Sequence, residues 1–293
     1  MLEHRICQSG EITFRLKEGY DFEWLKELGE VFAVFDEQDS GNISFGIKKD
    51  GRKLFLKFAG ARTIHYDGEP AEAVLRLKDA VRVYMDLKHP GLIELVDHFE
   101  AGDHGYAVLF NWFEGENMHP HWTFPPPAKY TDPRSPFYKY RKLPVEKRLR
   151  SLDVIFDFHR HVEKSNYVAI DFYDGSILYD FVNDETRVCD IDLYEEKPFY
   201  NNMGRLWGSS RFMSPEEFEL GAEIDSRSNV FNMGATAFML LGGERDRSFD
   251  AWEAGPGLFQ VASRAVQRDK ADRYQTVEEF YVAWKEACSK AQF

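Results

Sequence analysis

An α+β fold is predicted by three features of the sequence: strand-like segments gathered early in the chain, helical segments that dominate later, and turn signals between them. Residues 31–35, 43–48 and 54–58 are rich in Val, Ile, Leu and Phe. Asp39-Ser40-Gly41-Asn42 and Lys49-Asp50-Gly51 separate them, so they read as an antiparallel meander. Residues 70–87 carry Val74, Leu77, Val81 and Tyr84 at three- and four-residue steps, which is the spacing of one helical face. Residues 145–162 repeat the pattern with Leu149, Leu152, Phe156 and His159, and 252–266 and 276–288 complete a helical end. Ahead of the meander, 12–16 alternates as a short strand and 22–28 is helical.

Composition narrows the function classes. A chain of 293 residues builds one large domain or two lobes sharing an interface, and 43% hydrophobic with 30% charged residues is the make-up of a soluble globular protein. A net charge of −13 argues against a nucleic-acid groove, although 139–150 contains a local basic patch. No run is long enough to span a membrane, and residues 1–10 lack an apolar signal core. Cys7, Cys189 and Cys288 are odd in number, with no pair at metal-ligand spacing, so buried thiols in a reducing cytoplasm are expected.

The most specific stretch is Gly208-Ser209-Ser210-Arg211-Phe212-Met213-Ser214-Pro215-Glu216. Read locally, Ser214 caps a helix with Glu216 and Glu217 in its first turn. The whole nonapeptide also resembles the Gly-Thr-x-x-Tyr-Met-Ala-Pro-Glu end of a protein-kinase activation segment. In that family the Glu is buried and paired with a distant Arg, and Arg273, in Asp269-Lys270-Ala271-Asp272-Arg273-Tyr274, stands at the matching place. A buried carboxylate needs such a partner to offset its desolvation.

The resemblance continues in order from about residue 31 to the C-terminus. It implies a bilobal protein-kinase-like fold, with a small β-rich N-lobe over 1–114 (an extension over 1–30, then five strands and one helix) and a larger, mainly helical C-lobe over 115–293. Leu54-Phe55-Leu56-Lys57 resembles the Val-Ala-Ile-Lys strand, which would have Lys57 steady the nucleotide phosphates. A solvated lysine at a strand end is the plain alternative. Gly41-Asn42-Ile43 matches the last part of the glycine-rich phosphate loop, with Asp36 and Gln38 where the earlier glycines stand. Backbone N–H groups of Ser40, Gly41 and Asn42 could approach a phosphate, opposed by Asp36, Glu37 and Asp39. A hairpin turn is again the alternative. The helix Glu that pairs with the lysine falls at Ala80, so that pair is expected to be absent or its carboxylate supplied from elsewhere.

His89-Pro90-Gly91-Leu92-Ile93 resembles the His-Pro-Asn-Ile-Val lead into the fourth strand. Residues 106–113 then match the fifth strand and hinge, with Phe110 as gatekeeper and backbone groups of Asn111, Trp112 and Phe113 facing an adenine edge; read without the family, Phe110 to Phe113 is an aromatic strand in a core. Residues 119–143, rich in Pro, Tyr and His, have no helical period and read as an ordered insert or surface loop; His119 and His121 read there as packing or surface groups.

Tyr167-Val168-Ala169-Ile170-Asp171-Phe172-Tyr173-Asp174-Gly175-Ser176-Ile177-Leu178 occupies the place of His-Arg-Asp-Leu-Lys-Pro-x-Asn-Ile-Leu. The resemblance makes Asp171 the catalytic aspartate that orients the attacking hydroxyl and takes its proton. Ser176 then stands at the Mg²⁺-binding asparagine, with Asp174 close enough in sequence to supplement it. Ala169-Ile170 replace His-Arg and Tyr173 replaces the lysine. A tight turn shaped by Asp171, Asp174 and Gly175 is the alternative. Arg187-Val188-Cys189-Asp190-Ile191-Asp192-Leu193 resembles the Asp-Phe-Gly region, with Asp190 as the Mg²⁺-bridging carboxylate and Asp192 in place of glycine, as in several small-molecule phosphotransferases. In extended chain these two residues share a face. Ser228-Asn229-Val230-Phe231-Asn232-Met233-Gly234-Ala235 resembles the start of a buried helix whose Asp, here Asn229, bonds the catalytic loop.

The implied function is an atypical serine/threonine protein kinase using ATP and Mg²⁺ on a protein substrate, with Ser209 and Ser210 as positions open to regulatory phosphorylation. Two other readings stay open: a pseudokinase binding or scaffold module, favoured by the missing glycines and Ala80, and a small-molecule phosphotransferase of the aminoglycoside-phosphotransferase type, favoured by Asp190-Ile191-Asp192.

Overall fold

The computed structural model describes residues 4–291, which are α+β and fall into two compact units, one running to Phe113 and the other beginning at Glu114. The first unit opens with a hairpin of β1 (Arg5–Ser9) and β2 (Ile12–Leu16), in register from Arg5↔Leu16 to Ser9↔Ile12. Strand β1 was not legible in the sequence, because Arg-Ile-Cys-Gln-Ser has no apolar alternation and only Ser9 of the five is buried. The helical reading of 22–28 contracts to α1 (Leu25–Leu28). Phe22 lies outside it and packs edge-on against Phe14, Phe45 and Phe58 at centroid distances of 5.4–5.5 Å, so aromatic contact outweighs helical propensity there.

Five antiparallel strands follow around one helix: β3 (Glu30–Phe35), β4 (Asn42–Lys49), β5 (Arg52–Ala59), α2 (Pro70–Asp86), β6 (Leu95–Ala101) and β7 (Gly105–Asn111). Their order in the sheet is β3-β4-β5-β7-β6. Side chains alternate across β5. Leu56 and Phe58 join Phe14, Leu16, Phe22 and Leu25 in a core beneath the hairpin. Phe55 faces the other way, toward Phe110, whose ring meets Tyr84 of α2 at 4.8 Å.

The second unit is mainly helical. Its elements are β8 (Glu116–Asn117), α3 (Ala128–Thr131), α4 (Pro136–Arg141), α5 (Val145–Lys164), β9 (Tyr167–Val168), β10 (Ile177–Asp180), β11 (Glu185–Val188), β12 (Glu195–Glu196), β13 (Phe199–Tyr200), β14 (Glu223–Ile224), α6 (Ser226–Leu241), α7 (Pro256–Ala265) and α8 (Val277–Lys290). Every residue of α6 from 228 to 241 is buried, apolar on all sides apart from Ser228, Asn229, Asn232 and Thr236. Helix α5 meets α8 through Phe156, with Phe280 at 4.9 Å and Trp284 at 5.2 Å. The stretch 119–143 differs from its reading as a loop without helix. It contains α3 and α4, whose four and six residues are too short to display a helical period. Among the described residues no helix is long and apolar enough to cross a membrane.

Candidate functional site

The loop after β9 hangs from α6 by two hydrogen bonds. Asn229 Oδ1 accepts from the Ala169 N–H at 2.9 Å, and Asn232 Nδ2 donates to the Phe172 carbonyl at 3.0 Å. The first is the bond that the Asn229 motif suggested; the second escaped the sequence reading. Between these anchors Asp171 takes a left-handed conformation with φ of +61°. Val168 and Ile170 are held beneath the loop in a small core with Leu206, Met213 and Ile224.

Asp190 arrives from the neighbouring ladder. Strands β10 and β11 pair from Ile177↔Val188 onward, and the Cys189 N–H donates to the Ser176 carbonyl at 2.9 Å. Asp190 therefore leaves the ladder beside the one-turn 3-10 segment Asp174–Ser176, itself at φ of +54°. The Ser176 hydroxyl is fully buried and has no hydrogen-bond partner among the described residues. Burial of the Tyr194 phenol, then the nearby charges of Asp171, Cys189 and Asp190 in that order, push it well above its ordinary range. His159 orients that phenol. Its Nδ1 donates to the Ile155 carbonyl at 2.8 Å, which leaves Nε2 to accept the Tyr194 O–H at 2.9 Å. Among the described residues no group of three or more His, Cys, Asp or Glu side chains is arranged to hold a metal.

The segment after Gly208 folds against this loop. A Cβ added at Gly208, whose φ is +138°, would sit 3.6 Å from the Asp171 Cα and 3.2 Å from Met213 Cγ. Both readings of its end hold together. Ser214 and Glu217 form a capping box around the 3-10 turn Pro215–Phe218, and Glu216 pairs with Arg273. That pair is bidentate, at 2.8 and 3.0 Å, and buried, and the Ser228 hydroxyl donates to Glu216 at 2.6 Å. Burial pushes Glu217 up to about 7, helped by Glu216 and Asp171 and opposed by its bonds to Ser214. Burial would raise Glu216 too, but Arg273 and Ser228 hold it below the usual range.

Asp174, read as a supplementary metal ligand, is engaged elsewhere. Its carboxylate is fully buried; Arg211 donates to its two oxygens at 2.7 and 2.9 Å, Lys129 donates from α3, and His119 Nδ1 lies 3.2 Å away. Burial alone would raise its pKa; the bonds from His119 and Arg211 and the charge of Lys129 hold it well below the carboxylate range instead. His119 thus has a specific partner rather than a surface position. No spacing rule in the sequence points to this grouping.

In the first unit, Lys57 is buried in β5, between Ser44 and Val108 on the flanking strands and on the same strand face as Phe55. Ala80 is buried in α2 and offers no carboxylate. The acidic residues of the 36–41 turn are partly neutralised: Arg15 of β2 bonds Asp36 through its backbone N–H at 2.8 Å and Glu37 through its guanidinium. Gly41 owes its identity to the protein's own packing, since a Cβ there would meet Ala73 and Tyr66 at 2.8 Å. The Ser40 carbonyl accepts from Arg76 of α2 at 2.9 Å. At the end of β7, the Asn111 N–H donates to the Glu94 carbonyl at 2.9 Å and the Trp112 N–H to the Lys53 carbonyl at 3.2 Å. Phe113 follows as the last residue of the unit. Phe35, Phe55 and Trp112 cluster at 5.8–6.4 Å.

No protein-family model matches the chain. It is similar to the serine/threonine-protein kinase pkn2 of Myxococcus xanthus, with 24% identity over 258 aligned residues that cover 78% of this chain and 28% of the relative. The chain thus spans little more than a quarter of that protein's length, and the similarity supports a protein-kinase-like family and nothing finer.

Proposed function

We propose that the chain is a serine/threonine-kinase-like phosphotransferase, moving the γ-phosphate of ATP to a protein hydroxyl. The observation that carries this reading is the buried Ser176 hydroxyl, left without a partner on the segment bonded to the strand that delivers Asp190. A buried polar atom with no partner costs about 1–3 kcal/mol and calls for an explanation, of which an absent ion is one. Asp190, Ser176 and Asp192 would hold Mg²⁺, with triphosphate oxygens and water completing its shell. When bound, the ion would neutralise charge on the transferring phosphoryl group. Asp171 would orient the acceptor hydroxyl and take its proton, and Lys57 would steady the phosphates. Support for a protein acceptor comes from the 208–216 segment folded against Asp171. The reading does not need Ser40 or Gly41 to touch phosphate, nor Asn111 to touch adenine.

The test uses radiolabelled ATP with Mg²⁺ and generic protein acceptors. Asp171→Asn is expected to lower transfer by about 10²–10⁴-fold, the usual contribution of a positioned base. Ser176→Ala should leave the melting midpoint unchanged or raised, since it removes an unsatisfied buried hydroxyl, yet weaken stabilisation by Mg²⁺-ATP. Full activity in Asp171→Asn would sink its role.

One observation favours a second reading, a binding module without transfer. Phe55, two residues from Lys57 on the same face, is half-buried with Phe35, Phe110 and Trp112 at 5.8–6.4 Å, and bulky rings there can compete for the space a purine needs. Absence of any thermal shift with Mg²⁺-ATP would decide for it. Transfer to aminoglycosides or other small alcohols, with none to protein, would decide for the small-molecule reading.

A further inference from the structure

The buried charges around Asp174 belong to three separate stretches of the second unit. Lys129, in α3 of the 119–143 insert, is fully buried; its ammonium donates to Asp174, lies 3.8 Å from Glu244 and sits 4.3 Å over the Phe137 ring. Arg211, in the segment after Gly208, binds both oxygens of Asp174, donates to Glu244 at 2.9 Å and uses Nε to bond the Ser209 hydroxyl at 3.0 Å. Asp174 itself follows Asp171 by three residues and opens the turn that contains Ser176. Glu244, from the turn after α6, also accepts from the Tyr130 hydroxyl at 3.1 Å. Apart from His119, the four charges cancel, Asp174 and Glu244 against Lys129 and Arg211.

We propose that this cluster is an ionic latch, in which Lys129 and Arg211 act through Asp174 as positioning residues that fix the Asp171 loop against the 208–216 segment. Reach and burial give the cluster this role. Arg211 alone spans both loops with a planar fork, so the distance between them is set by bond lengths. Lys129 adds a second donor to Oδ2, the oxygen that Arg211 Nη1 also reaches, and burial of the carboxylate keeps water from substituting for either cation. The insert thereby becomes a working part of the site. The latch itself stands on the geometry above; its consequence for transfer rests on the phosphotransferase reading.

The experiment compares amide hydrogen exchange in the full chain with that of two variants. Asp174→Asn with Lys129→Met removes one charge of each sign and preserves neutrality; Arg211→Lys preserves every charge but loses the fork. Both are expected to melt close to the parent, while amides of 168–176 and 208–216 exchange about tenfold faster and the rest of the second unit does not change. In the transfer assay kcat should fall with KM for ATP unchanged. Unchanged exchange in those two loops, or an increase spread over the whole unit, would overturn the latch, as would loss of cooperative folding in Arg211→Lys. If the loops loosen together but the parent transfers no phosphate, the latch stands and the phosphotransferase reading falls.

Discussion

Glu216 and Glu217 are neighbours in the chain whose carboxyls are shifted in opposite directions, and the cause is the company each keeps. Arg273 and Ser228 donate to the first, while the second accepts from the backbone N–H and hydroxyl of Ser214. Breaking a buried ion pair leaves an uncompensated charge, so Glu216→Ala is expected to cost about 3–5 kcal/mol, read from the urea midpoint at unchanged m value. A midpoint equal to that of the parent would rule out the pair as a stabilising contact. This pair and the Asn229 bond to Ala169 were legible in the sequence, because each belongs to a motif whose partner has a fixed place in chain order. The Asn232 bond to Phe172 was not, since an asparagine inside an apolar helix carries no sign of what it faces.

At the scale of elements, α6 organises the second unit by close approach on one side and hydrogen bonds on the other. Gly234 marks the approach: a Cβ there would meet Ala265 Cβ at 2.7 Å and Val266 Cγ1 at 2.9 Å, and α7 has no flexible side-chain end to move away. Gly234→Ala should therefore destabilise by about 1–3 kcal/mol, despite the better helix propensity of alanine. A thermal melt that shows stabilisation would mean that α7 shifts freely. The long elements α2, α5, α6 and α8 followed from apolar periodicity or motif. The short ones, β1, α3 and α4, did not, because a few residues cannot show a period and their ends are set by tertiary contacts.

Across the whole molecule, stretches that look like charge patches in the sequence find opposite charges within the fold. The basic stretch 139–150 is an example: Lys139 pairs with Glu116, Lys147 with Asp184, and Arg141 and Arg148 both with Glu253. The exception with a global consequence is Glu217, raised from 4.5 to about 7 by burial. Its carboxyl is neutral in the folded chain and ionised in the unfolded chain between those values. Its contribution to stability is complete below pH about 4.5 and is lost as pH rises toward 7, by about 2–3 kcal/mol. Glu217→Gln should flatten that slope in a series of urea melts. A slope identical in parent and variant would assign the titration to another group.

The amino-acid sequence by itself determined the α+β class, the long helices, the meander and the Glu216–Arg273 pair, because each is written as a period, a turn signal or a motif with a fixed partner. Only the tertiary structure decided where the carboxylate of Asp174 goes. Its partners Lys129 and Arg211 lie 45 and 37 residues away on opposite sides in sequence, in stretches without periodicity. Chain folding brings them together, and burial of one carboxylate selects the cations around it.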